Sequence, residues 1–434
     1  MRVSERKRIL AVVGVMAMLV AACSGGGETP SDDAAPEEAD ANTATADEET
    51  GEAAADSSGG PDPSDWDAVV TEADGQTVNW FMYGGDAGLN EHVTGIVSDL
   101  AAEQGVTVNQ VRIEDTVEAI NAVLGEQQAG VDKDGSVDLI WVNGENFRTG
   151  KQADLWFCDW AEQLPNAEMI PWEDPAINTD FGTPVDGCEA PWNRAQSIVV
   201  YDSEEIPDGF ASMADLFEWI EANPGRFTHS APPDFTGAMT VRTMLYGYLG
   251  GYDDLTAEYD EATFDEVTDG FWDYMNELKA NFWRNGETFP QSHPEVVDLF
   301  ANDQIDVYLT YEVAEVVRNV QDGVYPDTVR GDVFDEGGNI GNTNYVGIPY
   351  NSPNKAGAMV LANVLQSVEA QVDKAAFAYY PVLDPALTDD PAAFDVEAEV
   401  VPPFAELAEG AAPEISGAWI SAIDDVWQQR VLQQ

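Results

Sequence analysis

TVNWFMYGG at residues 77–85, TVNQVRI at 107–113 and VDLIWVNGEN at 137–146 are three runs of strand length and composition, and what lies between them decides the fold. Asn90 to Glu103 places Val93, Ile96, Val97 and Leu100 at helical spacing. Val117 to Gly130 reads as a second helix, with Asp115 or Thr116 in the capping position. Parallel strands need a crossover long enough to carry the chain back, and helices of this length supply it. The order β-α-β-α-β therefore predicts an α/β body, with a parallel sheet covered by helices on both faces.

Downstream, Ser197 to Tyr201 reads as a strand that carries the chain into a second lobe. Helices follow at Met213 to Ala222, ended by Asn223-Pro224-Gly225, at Thr240 to Leu249, and at Phe264 to Asn281. Ser292 and Pro294 open another, by N-capping and a first-turn proline. Asp306 to Thr310 is a strand, Glu312 to Val320 a helix, Asn344 to Pro349 a strand and Ala356 to Gln366 a helix. Trp419 to Leu432 closes the chain as an amphipathic helix. From Trp66 onward the body is about twice the usual domain length, so two lobes are expected. No repeat of about 20–50 residues is visible, which removes solenoids and propellers.

Upstream, residues 1–22 read as a secretion signal. Arg2, Arg6, Lys7 and Arg8 precede the apolar run Ile9 to Val20, which is too short to span a bilayer. Leu19-Val20-Ala21-Ala22-Cys23 is similar to the bacterial lipobox, in which the cysteine carries the lipid; the alternative is an ordinary cleaved signal with an incidental cysteine. Residues 23–64 are then a lipidated Cys23 and an acidic tether of small and polar residues, with too little apolar surface to offset ordering. The expected location is the extracytoplasmic face of the cell membrane.

The chain has 81 Asp and Glu against 18 Lys and Arg. Residues 1–22 hold four of the basic residues and one acidic one, so the remainder carries 80 acidic against 14 basic, with only five lysines. Acid spread along the whole chain suggests adaptation to high salt, where screening weakens self-repulsion. A dedicated binder of cations or basic partners is the competing reading. Nothing here neutralises phosphates, so no nucleic-acid partner is expected. Cys158 and Cys188 remain after Cys23; in an oxidising compartment they most simply form one disulfide, and otherwise two buried thiols. They have no histidine cluster that would make a zinc site.

The order of motifs resembles a family. Tyr83-Gly84-Gly85 ends the first strand, Asp138 to Asn146 the third, then come Leu155, Leu164-Pro165 and a crossover strand after Pro191-Trp192. Phe300 to Thr310, Tyr345 to Pro349 and Asn354-Lys355-Ala356 continue the series. Together they resemble the family-1 extracellular solute-binding proteins of ABC importers, which include the maltodextrin receptor. The Trp-Val-Asn-Gly-Glu-Asn-Phe stretch is similar to a subfamily labelled thiamine-transport binding proteins. The resemblance covers roughly residues 76–380. It implies a periplasmic-binding-protein-like type II fold, with two α/β lobes and a ligand cleft between them. Lobe one would hold residues 76–195 and 343–384, and lobe two 196–342 and 385–434. It implies a monomer that captures a small polar or cationic solute, thiamine-like by the subfamily, and hands it to permease and ATPase subunits. No cofactor and no metal are expected.

Ligands of open α/β sheets sit beyond the carboxyl ends of strands. Tyr83, Gly84 and Gly85 follow the first strand, as a ligand-approach loop or an ordinary turn. Trp141, Asn143, Glu145 and Asn146 combine a ring, two amides and a carboxylate; Trp141 alone is equally a core residue. In the second lobe, Thr236 and Gly237 open a helix, as wall or as plain N-cap. Tyr311 and Glu312 follow a strand, as the facing wall or as a solvated turn, and Trp192 lies beside the crossover, as cleft lining or as core. The rivals are a secreted hydrolase and an acidic cation-binding surface protein. His92, His229 and His293 are scattered, and no Gly-x-Ser-x-Gly, His-Glu-x-x-His or calcium loop is present. An enzyme is therefore not expected.

Overall fold

In the computed structural model the three quoted runs become neighbouring strands: β1 (Thr77–Tyr83), β2 (Thr107–Ile113) and β3 (Leu139–Val142). The structure describes residues 59–334, 338–394, 399–403, 407 and 411–433; the signal segment, Cys23 and nearly all of the tether lie outside them. β1 pairs in parallel with β2 on one side and β3 on the other, as two crossover helices require. Val78, Trp80 and Met82 alternate into the core along β1. Asp138, buried just before β3, accepts from the Asn79 amide (2.9 Å), Ser352 Oγ (2.8 Å) and Asn354 Nδ2 (3.1 Å), so its burial is fully compensated.

The sheet is not wholly parallel. β4 (Glu189–Gln196) and β8 (Gly341–Gly347) complete it in the order β2-β1-β3-β8-β4. β8 runs antiparallel to both of its neighbours. It enters from the other lobe and needs no crossover helix to reach β3, so strand direction is set by where the chain comes from. The helix expected from Asn90 starts earlier, at Ala87, under an Asp86 N-cap, and is interrupted by a π-turn at Val93–Val97 with Gly95 off helical geometry. Helix Trp66–Ala73 packs on Lys355–Leu365, the helix expected at Ala356 to Gln366.

A second sheet has β5 (Ile198–Asp202) at its centre, antiparallel to both β6 (Val307–Thr310) and β7 (Val329–Asp332). Helices Met213–Ala222, Phe235–Leu249, Glu261–Leu278 and Gly417–Trp427 bury Phe217, Met239, Leu245, Phe271, Met275, Trp419 and Trp427 with Val199 and Leu309 of this sheet. Helix Met213–Ala222 opens on a capping box between Ser212 and Asp215. Phe394 packs with Ile170, Ile177, Val382 and Leu383, on the side of the first sheet.

One buried residue, Ser197, separates the two sheets along the chain. Its N–H donates to Ile340 O (2.9 Å), its Oγ accepts from Ile340 N (2.7 Å) and its carbonyl accepts from Asn339 Nδ2 (2.9 Å). Gly341 N in turn donates to Ala412 O (2.8 Å), so three crossing segments run side by side between the sheets. Cys158 and Cys188 form a disulfide, which selects the bonded reading over two free thiols. Among the described residues no helix is long and apolar enough to cross a membrane.

Candidate functional site

The carboxyl ends of β1 and β3 carry an aromatic step. Tyr83 is 47 % exposed and meets Trp141 edge-on at 6.5 Å between ring centroids. Trp141 meets Trp192 at 5.0 Å, and Trp192 meets Trp80 at 5.4 Å. Trp192 is fully buried, with Lys374 Nζ 5.7 Å from its ring centroid, and packs behind Trp141 as a core residue. The two glycines serve the protein itself. A Cβ at Gly85 would lie 2.0 Å from the Tyr83 hydroxyl, and one at Gly84 would lie 2.6 Å from Arg112 Cβ. They let Tyr83 and Arg112 fold over the loop, where the sequence suggested a ligand's approach.

The 143–146 loop is also largely engaged. Asn143 Nδ2 donates to Asn344 Oδ1 (2.9 Å) and Asn342 Oδ1 (3.2 Å) on β8, and Trp141 Nε1 also reaches Asn344 Oδ1 (3.1 Å). The Asn143 Nδ2 is thus used in holding β8 to β3. The Gly144 N–H, at the start of helix Gly144–Gln152, donates to the buried carboxylate Asp180 (2.6 Å). The helix terminus is thus occupied by the Asp180 carboxyl group, which burial pushes well above its ordinary range. Glu145 is exposed and only loosely paired with Arg148 (3.6 Å), and Asn146 is half-buried.

In the second lobe Gly237 packs on the Ser230 carbonyl, where a Cβ would lie 2.1 Å from the oxygen, and its N–H is capped by Asp234 (2.9 Å). Thr236 is buried in the first turn of the same helix, whose N-cap is Asp234 and not Thr236. Tyr311 is buried too; its hydroxyl donates to Glu414 (2.5 Å), which also takes two hydrogen bonds from the buried Arg242 (3.0 and 2.8 Å). Tyr311 is therefore no solvated turn residue and ties Glu414 to the end of β6. The ring it exposes by proxy is Phe235, 53 % accessible and 5.5 Å from Tyr311.

Glu312 is different. It follows β6 and stands opposite Tyr83, close enough that, after burial, its charge is the next cause raising the Tyr83 hydroxyl above its ordinary range. Burial pushes the Glu312 carboxyl up to about 7. Around it Arg318 Nη2 reaches across to Asp86 Oδ2 (2.9 Å), and His293 Nε2 meets Glu315 Oε2 (2.9 Å). Tyr379 lies beside the same Asp86 and Arg318. Of this group only Tyr83 and Glu312 were marked as site residues from the sequence. Asp86 carried a legible cap signal after Gly84-Gly85, whereas Arg318 and His293 sit in helices with nothing local to distinguish them. Among the described residues no group of three or more His, Cys, Asp or Glu is placed to hold a metal ion.

Two unequal sheets joined by three crossing segments, with strand ends facing each other, describe a known architecture. Residues 95–400 match the family of bacterial extracellular solute-binding proteins. The chain belongs to this family. Protein YnjB of Escherichia coli (strain K12) is 34 % identical over 375 residues, covering 85 % of this chain and 94 % of the relative. The spermidine/putrescine ABC transporter substrate-binding protein PotD from Streptococcus pneumoniae shares the fold at 16 % identity and TM-score 0.59, over 82 % of this chain and 98 % of that one. The Bordetella ferric binding protein does so at 16 % identity and TM-score 0.56, over the same shares, 82 % and 98 %. The fold is that of type II periplasmic binding proteins. The family is one of extracellular solute-binding proteins and not of enzymes.

Proposed function

We propose that this solute-binding protein is anchored by a lipid on Cys23, held off the membrane by its acidic tether, and acts as a monomer. It takes a small polar or cationic solute between its lobes and passes it to the permease and ATPase of its importer. The observation that carries the reading is the facing of two strand ends: the exposed ring of Tyr83 on one sheet and the carboxylate of Glu312 on the other, with the Ser197–Ile340 crossing behind them. A solute touching both walls binds best when they approach, so it shifts the open–closed balance by its differential affinity. An aromatic and acidic wall suits a cation or a polar ring, and a thiamine-like solute is one such case. Lobe one is proposed as residues 76–195 and 343–384 and lobe two as 196–342 and 385–434, with Phe394 packing against Ile170, Ile177, Val382 and Leu383.

The test is a thermal-shift screen in high salt against thiamine, maltose-type sugars and small organic cations, with recovery of the solute afterwards. The expected result is a shift that Tyr83→Ala and Trp141→Ala reduce, with the solute returned unchanged. Turnover of the solute, or parent-like shifts in both variants, would refute the proposal.

A further inference from the structure

Where β8 leaves the second lobe it runs beside a small polar cavity. Asp180, Phe181, Asn342, Thr343, Pro413 and Glu414 are among the residues that line it, so two of the three crossing segments share its wall with the first lobe. It gives the centre of a water molecule about 20 Å³, and about 10–15 Å³ is enough to hold one. Two polar atoms of its wall have no partner among the described residues. Asp180 is 1 % exposed; its Oδ2 is taken by the Gly144 N–H (2.6 Å), which leaves Oδ1 for the cavity, and Oδ1 accepts from nothing. Asn342 is 5 % exposed; its Oδ1 accepts from Asn143 Nδ2 (3.2 Å), which turns its own Nδ2 away from Asn143, and that Nδ2 donates to no described residue. A buried acceptor and a buried donor left unpaired are both unfavourable, and such groups are as a rule paired.

We propose that one water molecule is a built part of this joint, accepting from Asn342 Nδ2 and donating to Asp180 Oδ1. Its second hydrogen has the Glu414 carboxylate, which takes Arg242 and Tyr311 and still has lone pairs. The bridge does not depend on the Asp180 proton, because a water donates to a carboxylate and accepts from a carboxylic acid. A metal ion fits the cavity less well. Arg242 already balances Glu414, and among the described residues no three His, Cys, Asp or Glu converge to hold one. The position of the water gives it a role in the hinge. β8 is tied directly to the 175–180 segment at Thr343, whose Oγ1 donates to Ala176 O (2.6 Å), and at Tyr345, whose hydroxyl donates to Ile177 O (2.9 Å). At Asn342, one residue nearer the second lobe, the tie to Asp180 runs through the water. A water-mediated bond is nearly as good as a direct one and is remade at a new angle, so this joint follows the lobes without stranding a buried group.

The experiment has two readouts on the full mature chain. In a high-resolution crystal structure, the expected result is one peak of density within about 3.2 Å of both Asn342 Nδ2 and Asp180 Oδ1. In solution, oxygen-17 relaxation dispersion counts the waters held for longer than the protein takes to tumble. Asn342→Leu, close in size but without the donor, should lose one of them relative to the parent. Asn143 keeps Asn344 Oδ1 (2.9 Å) in that variant, so its loop stays held. The absence of the peak, or a direct hydrogen bond between Asn342 and Asp180, would overturn the inference. So would a peak ringed by six or more oxygens at about 2.3–2.6 Å, which is a bound cation, or an undiminished count in Asn342→Leu. Should that variant not fold, the peak in the parent decides alone. None of these outcomes bears on the receptor reading, which rests on the solute screen.

Discussion

Replacing Arg318 by glutamine should loosen the closed arrangement without unfolding either lobe. Arg318 projects from helix Val313–Gln321 to Asp86, the N-cap of helix Ala87–His92 beside the first sheet. Two unit charges about 4 Å apart interact by about 4 kcal/mol at an effective dielectric of about 20. The Asp86 side chain is 10 % exposed and that of Arg318 31 %, so solvent screening and side-chain ordering remove much of this. A net of about 1–2 kcal/mol lies between the values typical of exposed and of buried pairs. The contact joins the halves and folds neither, so its loss appears as an open–closed shift of about 5- to 30-fold. Small-angle scattering and a fluorescence distance between labels on the two lobes read that shift, with urea unfolding as the control for each lobe. Asp86→Asn keeps an oxygen for the Leu89 amide while removing the charge, so a double-mutant cycle isolates the pair. Unchanged interlobe distances in Arg318→Gln, with urea stability equal to the parent's, would refute the assignment of this pair to closure.

Three further outcomes follow from buried groups. Glu414→Gln leaves the buried Arg242 charge uncompensated and should lower stability by about 3–5 kcal/mol in denaturant titration; less than about 1 kcal/mol would mean that solvent reaches the pair. Glu189 is buried with both carboxylate oxygens unpartnered, and burial, then the neighbouring Asp180, raises it well above the usual range. A raised acid contributes its stability below the unfolded pKa and loses it as pH rises. The difference between Glu189→Gln and parent should therefore grow in the variant's favour by about 1.4 kcal/mol per pH unit upward from about 4.5, and a flat difference would contradict this. Opening the Cys158–Cys188 bridge by Cys158→Ser together with Cys188→Ser frees a loop of separation 30, with an expected loss of about 3–4 kcal/mol in urea unfolding; a loss of under about 1 kcal/mol would show that the loop stays ordered without it.

Much of the architecture was legible from short stretches. Alternation in TVNWFMY and the helical spacing of Val93, Val97 and Leu100 are properties of neighbouring residues; they marked the strand and the helical segment, but not the π-turn at Val93–Val97. Lys, Arg, small residues and Cys23 in series read locally as an export signal, and that segment and nearly all of the acidic tether lie outside the described residues. The candidate site could be proposed from the sequence only as a place, the carboxyl ends of β1, β3 and β6, because chain order and crossover geometry dictate where strand ends gather.

Which side chains are free at that place was decided by the tertiary structure. Asn143 is consumed by Asn344, 201 positions away, Tyr311 by Glu414, 103 away, and Arg318 by Asp86, 232 away. β8 took its direction from the lobe it left, and Trp192 became core because Trp80 and Trp141 close over it. Periodicity is carried by adjacent residues, so the sequence by itself determined the elements and their order. Charge pairing and exposure depend on distances through space between residues remote in the chain, and those distances exist only once the two sheets have packed and crossed.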